Sequence, residues 1–325
     1  MLMITKQTPE YIPSYNLFWQ RRPAFYNEGR NPDGSGIDYF GVEWAFSEIV
    51  GASLPAPGKF ILDDITKWRD IIKVPSDDHI DWAAMAKEAL DARDPELPFG
   101  ISTVPSVGFF EGVMSFMGFD EGLMACFEEP EEVKAMLNYL CDWSIEMAKK
   151  AIQYYKPDYG FLGDDIAHER NPFVSLEMFQ DIFAPVWRRY YATWVEAGFP
   201  VGNHNCGHFE LFLDDLVDMG CSFWDPVQSS NDEVAIKAKF GNNLALCTGG
   251  PDSRFWTDDT PDDQVREEVR AYINALAPGG GFAMMDFRGF LQPPADGQVI
   301  EETPARRRLK IIAEEFEAIR YDIYK

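Results

Sequence analysis

Basic residues are scarce in this chain. Of 325 residues only 29 are Lys or Arg, against 54 Asp or Glu, for a formal net charge of -25. A surface so acidic repels phosphate backbones and anionic headgroups, which argues against nucleic acid and membrane as partners. Long apolar runs are missing as well: no stretch of about 18 apolar residues occurs, and the opening MLMITKQTPEYIPSYN lacks the basic-then-apolar order of a secretory signal. The expected location is cytoplasmic. Cysteines number five (Cys126, Cys141, Cys206, Cys221, Cys247), never in C-x-x-C spacing. In a reducing compartment that argues against a disulfide framework and leaves the thiols available as ligands. Neither G-x-G-x-x-G nor G-x-x-x-x-G-K-[ST] is present, which removes the main sequence argument for a Rossmann or P-loop nucleotide site.

What the chain has is alternation, with 46% hydrophobic residues to build a core. From residue 98 onward, β-rich runs appear at 99–104, 159–165, 200–207, 221–227, 243–250 and 281–287. Between them lie amphipathic stretches, among them 130–155, 175–197, 209–219, 232–240 and 260–276, several opened by helix-start residues such as Pro130, Ser175 and Thr260. Strand and helix repeated this way predict a parallel sheet covered by helices. The expected fold is α/β, a closed (β/α)8 TIM barrel forming one domain over 1–325, with 1–96 as an N-terminal extension packed on it. Segments 24–28 and 40–46 are expected to supply the missing strands; an open doubly wound sheet is the alternative. Residues 63–93 predict two helices, and NPDGSG at 31–36 a turn. The aromatics Tyr11, Tyr15, Phe18, Trp19, Phe25 and Tyr26 suit the sealing of a barrel floor. Trp44, beside Glu43, is read as a substrate-binding residue for a flat apolar ligand.

Parallel barrels carry their chemistry at the C-terminal strand ends. Those ends hold Asp164 and Asp165, His204 and Cys206, Asp225 and Gln228, Gly249 to Asp252, and Asp286 with Arg288. Residues two apart on a strand share a face, so His204 and Cys206 present an imidazole and a thiol together, a pairing zinc favours. An isolated H-x-C equally describes a hydrogen-bonded histidine beside a buried cysteine. Asp164 and Asp165 precede a loop with His168 and Glu169; Asp165 and Glu169 are the candidate catalytic residues, and Gln228 is a candidate for substrate binding.

In order, G-D-D-I, S-L-E-M-F running into A-P-V-W, H-N-C-G, D-P-V-Q, C-T-G-G-P-D and P-G-G-G-F resemble the uroporphyrinogen decarboxylase superfamily, specifically its cobalamin-dependent methyltransferase branch. The resemblance spans roughly residues 97–321. It implies a TIM barrel, zinc on His204 and Cys206, and a corrinoid (cobalamin) cofactor. Thiol-acting members generally take a further cysteine just after the last strand, where this chain reads M-M-D-F-R-G-F; either Asp286, Cys247 or another residue completes the site, or the metal is weakly held. The decarboxylases' arginine-rich R-Q-A-G-R segment is absent; the nearest counterpart is Arg21 and Arg22, followed by P-A-F-Y-N-E-G-R. The segments D-Y-F-G-V-E-W and D-I-T-K-W-R-D look like the front end of members that demethylate methoxylated aromatics. The four histidines (His79, His168, His204, His208) include none in a D-x-H-x-x-G context, so the corrinoid is expected on a partner protein docking over the barrel mouth, opposite a small-molecule methyl donor or acceptor. The alternatives are a metal-free decarboxylase in which Asp165 stabilises positive charge on a pyrrole-like substrate, and a non-catalytic ligand-binding barrel.

Overall fold

Six of the β-rich runs become strands of one parallel sheet. The computed structural model describes residues 1–14, 19–49, 51–105, 108–291 and 302–324; Tyr15, Phe18 and the Trp19 side chain lie outside what it describes. In chain order the strands are β1 (Trp19–Arg21), β2 (Gly36–Ile37), β3 (Glu43–Ser47), β4 (Ala52–Pro55), β5 (Phe99–Ser102), β6 (Tyr159–Gly163), β7 (Val201–His204), β8 (Cys221–Val227), β9 (Ala245–Thr248) and β10 (Phe282–Met284). The main sheet runs β1-β5-β6-β7-β8-β9-β10, parallel throughout. A parallel bridge from Met284 to Ser14 joins β10 to the N-terminal stretch, and Met284 N donates to Pro13 O at 3.3 Å. The ring closes there, and the fold is the TIM barrel that the alternation predicts. Every residue of β5 and β9 is buried, as a parallel sheet covered on both faces requires.

The two aromatic segments do not supply barrel strands. Residues Ala24–Asn27 form a 3-10 turn, and 40–46 contribute instead to β3 of a separate antiparallel sheet, β2-β3-β4. Burial in β3 falls off along the strand: Trp44 is buried, whereas Ala45 and Phe46, on opposite faces, are both exposed. A barrel strand is covered on both faces along its length, and β3 is not.

Helices follow each barrel strand. Pro130–Tyr155 runs as read from the sequence, and 175–197 divides into Leu176–Met178, a π-type turn at Phe179–Phe183 and Ala184–Glu196. Along the last, Trp187, Tyr190, Tyr191 and Trp194 are all buried against the sheet. Two helices not anticipated, Phe110–Met117 and Phe119–Glu128, fill the connection after β5. Among the described residues no helix is long and apolar enough to cross a membrane. The register pairs Gly163 with His204 and His204 with Asp225. Thus the ends of β6, β7 and β8 lie level, and the residues just beyond them meet.

Candidate metal centre at the barrel mouth

The H-N-C-G stretch works by alternation. Asn203 and Asn205 point into the protein: Asn203 Nδ2 donates to Tyr191 OH (2.9 Å), Asn205 Nδ2 to Asn203 Oδ1 (2.9 Å), and Asn205 Oδ1 accepts from Ile166 N (2.9 Å). Both asparagines are fully buried, so their partnered amides fix the backbone. His204 and Cys206 are thereby turned to the other face. Gly207 then takes φ +82°, and a Cβ there would lie 2.6 Å from Ala167 O and 2.7 Å from His168 O, so only glycine suits the turn.

His204 Nδ1 stands 2.8 Å from Asp225 Oδ1. Its Nε2 lies 3.8 Å from Cys206 Sγ and 3.8 Å from Asp165 Oδ1, and the three ligand atoms fall within 4.8 Å of one another. Tetrahedral zinc, with bonds of about 2.0–2.3 Å, spaces its ligands about 3.5 Å apart, so this donor set fits one ion with small adjustments. Three protein ligands leave a fourth position for substrate. Cys206 N also donates to Asp165 Oδ1 at 2.8 Å, tying β7's end to the loop after β6.

Burial lowers the His204 pKa, but the hydrogen bonds to Asp225 and Cys206 and the charges of Asp225 and Asp165 outweigh it and raise the pKa to about 11. A metal must therefore displace a proton from this ring, and uptake strengthens as pH rises. Asp225 fixes the ring so that Nε2 faces Asp165 and Cys206. Asp225→Ala should weaken metal binding by about 10- to 100-fold, read by competition with a chromogenic chelator; unchanged affinity would remove Asp225 from this role.

Asp164, next to Asp165 just past the end of β6, points the opposite way and is fully buried. Its carboxylate accepts from Phe109 N (2.9 Å), Phe110 N (2.9 Å), Glu111 N (2.9 Å) and Trp187 Nε1 (3.1 Å), closing the N-terminus of helix Phe110–Met117. That helix start carries Glu111, which sequence reasoning missed. Glu111 Oε2 accepts from Asp165 N at 3.2 Å, and burial, then the charges of Asp164 and Asp165, push its carboxyl up to about 8. The signal was an acid in the connection after β5.

The folded protein keeps the Glu111 proton that an unfolded chain gives up near pH 4.3. The stability this contributes is complete below about pH 4 and is lost as pH rises through about 8. Metal-free protein should therefore melt lower at about pH 9 than at about pH 5, and Glu111→Gln should remove part of that slope. A variant profile parallel to the wild type's in thermal melts would count against it.

The other predicted residues fall around this group. Trp44 lines, with Phe60, Phe110, Phe173, Glu111 and Asp165, a largely apolar cavity of about 450 Å³. Gln228 Oε1 accepts from Gly207 N at 2.7 Å, so its side chain supports the turn that carries Cys206. Glu169 is exposed and pairs with Arg254 at 2.7 Å. Among the described residues, His168 does not join the metal-ligand group.

Cys247 and Asp286 do not join it either. Cys247 sits inside the barrel, packed with Tyr159, Phe161 and Phe223, and burial drives its thiol pKa well up. Asp286 is clamped by Arg288, whose Nε donates to both carboxylate oxygens at 2.9 Å. Asp165 is the third member that the geometry supplies.

A family described as Uroporphyrinogen decarboxylase (URO-D) matches residues 37–285. The chain belongs to the uroporphyrinogen decarboxylase family. The match begins at β2 and ends just past β10, so it takes in the Asp165–His204–Cys206 group. No curated protein matches this family member in sequence. Among solved structures 24 chains match. One, a methyltransferase from Methanosarcina mazei, superposes with a TM-score of 0.62 over 97% of this chain and 96% of its own, at 13% identity. That similarity extends the shared fold beyond the family match to nearly the whole uroporphyrinogen decarboxylase-like chain.

Proposed function

We propose that the protein is a zinc-dependent methyltransferase that moves a methyl group between a small substrate, of the methoxylated aromatic class, and a corrinoid carried on a separate protein. The observation that carries this reading is the convergence of Asp165, His204 and Cys206 ligand atoms within 4.8 Å at the mouth. An aromatic-lined cavity reaches Asp165, and the solved neighbour is called a methyltransferase; both support it. Asp165, His204 and Cys206 would hold the zinc, which when bound supplies a Lewis acid to the heteroatom bearing the methyl group.

The chain's own residues do the rest. Asp225 keeps the His204 ring in place. Trp44, Phe110 and Phe173 give a flat ring an apolar wall and exclude water. When the bond to the methyl carbon breaks, its electron pair stays on the heteroatom. Glu111, protonated at neutral pH and lining the same cavity as Asp165, is placed to protonate that anion from Oε1. Purified protein, free cob(I)alamin and a panel of methoxylated aromatics give the test: methylcobalamin should appear by its absorbance, and wild type purified without chelator should carry zinc. A zinc-free wild type, or conversion of uroporphyrinogen to coproporphyrinogen, would overturn the reading.

A further inference from the structure

The cavity that reaches Asp165 is polar at one end only. The rings of Phe110 and Phe173 stack with centroids 5.8 Å apart, and Phe173 meets Phe119 edge-on at 4.7 Å. An aromatic track thus runs from the fully buried Phe110, next to Glu111 in the chain, out to a rim where Phe119, Phe60 and Leu54 are 43%, 41% and 45% exposed. Apolar side chains left open together at the rim of a cavity mark a surface that a ligand covers. The polar groups along the walls have their donors engaged elsewhere. Ser53 Oγ donates to Asp33 O, Ser115 Oγ to Gly112 O and Trp44 Nε1 to Asp38 Oδ2, each at 2.8 Å. Among the described residues no Lys, Arg or His lines the space. A polar substituent held here would give up water for no replacement partner, a penalty that a hydrocarbon escapes. The volume, about 450 Å³, lies in the range that encloses a drug-sized ligand and exceeds what one methoxylated ring fills.

We propose that the substrate carries, on the side of its ring away from the methoxy group, an alkyl chain that seats on Leu54, Phe60 and Phe119, and that these three side chains set its selectivity. This deepens the methyltransferase reading, on which it rests for the ligand's role as methyl donor. The methoxy end then faces Asp165 and Glu111, the ring lies along Phe110 and Phe173, and the chain displaces water from the rim. Burial of each further carbon against the rim adds affinity in proportion to the apolar area removed from water.

Calorimetry on the whole purified protein with phenol and its para-methyl, para-ethyl and para-propyl derivatives tests the site, because none of these probes carries a methyl ether. Each added carbon should tighten binding about threefold, or roughly thirtyfold from phenol to para-propylphenol. A matched pair needs no variant: para-ethylphenol should bind about tenfold or more tighter than para-hydroxybenzyl alcohol, of nearly the same shape, whose added hydroxyl finds no partner. Leu54→Ser and Phe119→Ser should each pull the gain per carbon below about twofold. An affinity flat along the series, equal binding of the matched pair, or a gain per carbon untouched by both substitutions would each overturn the alkyl site. Failure of methyl transfer to cob(I)alamin would instead strike the proposed reaction and leave this measurement standing.

Discussion

Cys206→Ala protein, purified beside wild type, is expected to carry less than about a tenth of its zinc and to transfer methyl groups on the order of a thousandfold more slowly. Cys206 supplies the only sulfur of the ligand group and sits half-buried, just past the strand that carries His204. The loss is therefore chemical, not architectural: Asn203, Asn205 and Gly207 still define the turn. Thermal melting of metal-free wild type and variant should coincide within about 2 °C, since a half-buried thiol contributes little packing. Full zinc occupancy in the variant would remove Cys206 from the site. A collapse in metal-free stability would assign it to the fold.

Asp164→Ala should do the reverse, with the largest stability loss of any single change near the mouth. It orphans three backbone N–H groups and the Trp187 indole, all at fully buried or nearly buried positions. Each unsatisfied donor costs about 1–3 kcal/mol, so the sum reaches about 4 kcal/mol or more, or a fall in Tm of roughly 6 °C or more for a chain of this size. Asp164→Asn, which keeps an acceptor oxygen in the same place, should lose about half as much. A drop below about 2 °C for the alanine variant would show that the helix Phe110–Met117 finds its N-terminal partners elsewhere.

The contrast between Asp164 and Asp165 shows where the sequence stops being legible. Adjacent residues at a strand end face opposite ways, so one of the pair had to be structural. G-D-D-I contains nothing that says which. His204 and Cys206 could be paired from spacing alone because they share a strand face. Asp165 and Glu111 could not, because their meeting depends on how the connection after β5 folds back over β6. That connection was opaque for a second reason: in F-F-E-G-V-M-S-F-M nearly every residue of the helix is buried, and so short and apolar a run cannot be told from a buried strand by its period alone. The strands from β5 onward were legible because continuous apolar runs bounded by glycine and proline are what a doubly covered parallel sheet demands. The segment 40–46 misled for the converse reason: its aromatics read as barrel material, yet Ala45 and Phe46 stand exposed in a strand that pairs antiparallel with β2 and β4 outside the barrel.

The seam of the barrel has a consequence for synthesis. Pro13 and Ser14 meet Met284, and Ile12 N donates to Arg320 O at 2.9 Å. At translation rates of about 5–20 residues per second, the opening segment is made on the order of tens of seconds before the residues that clasp it. Until then β1 and the sheet growing behind it expose an open border, the state in which a nascent chain calls on chaperones. A ribosome halted before helix Pro304–Ile319 should thus hold the β6–β8 ledge already shaped but the ring unlatched, a nascent chain open to protease at its first residues and shielded at its middle.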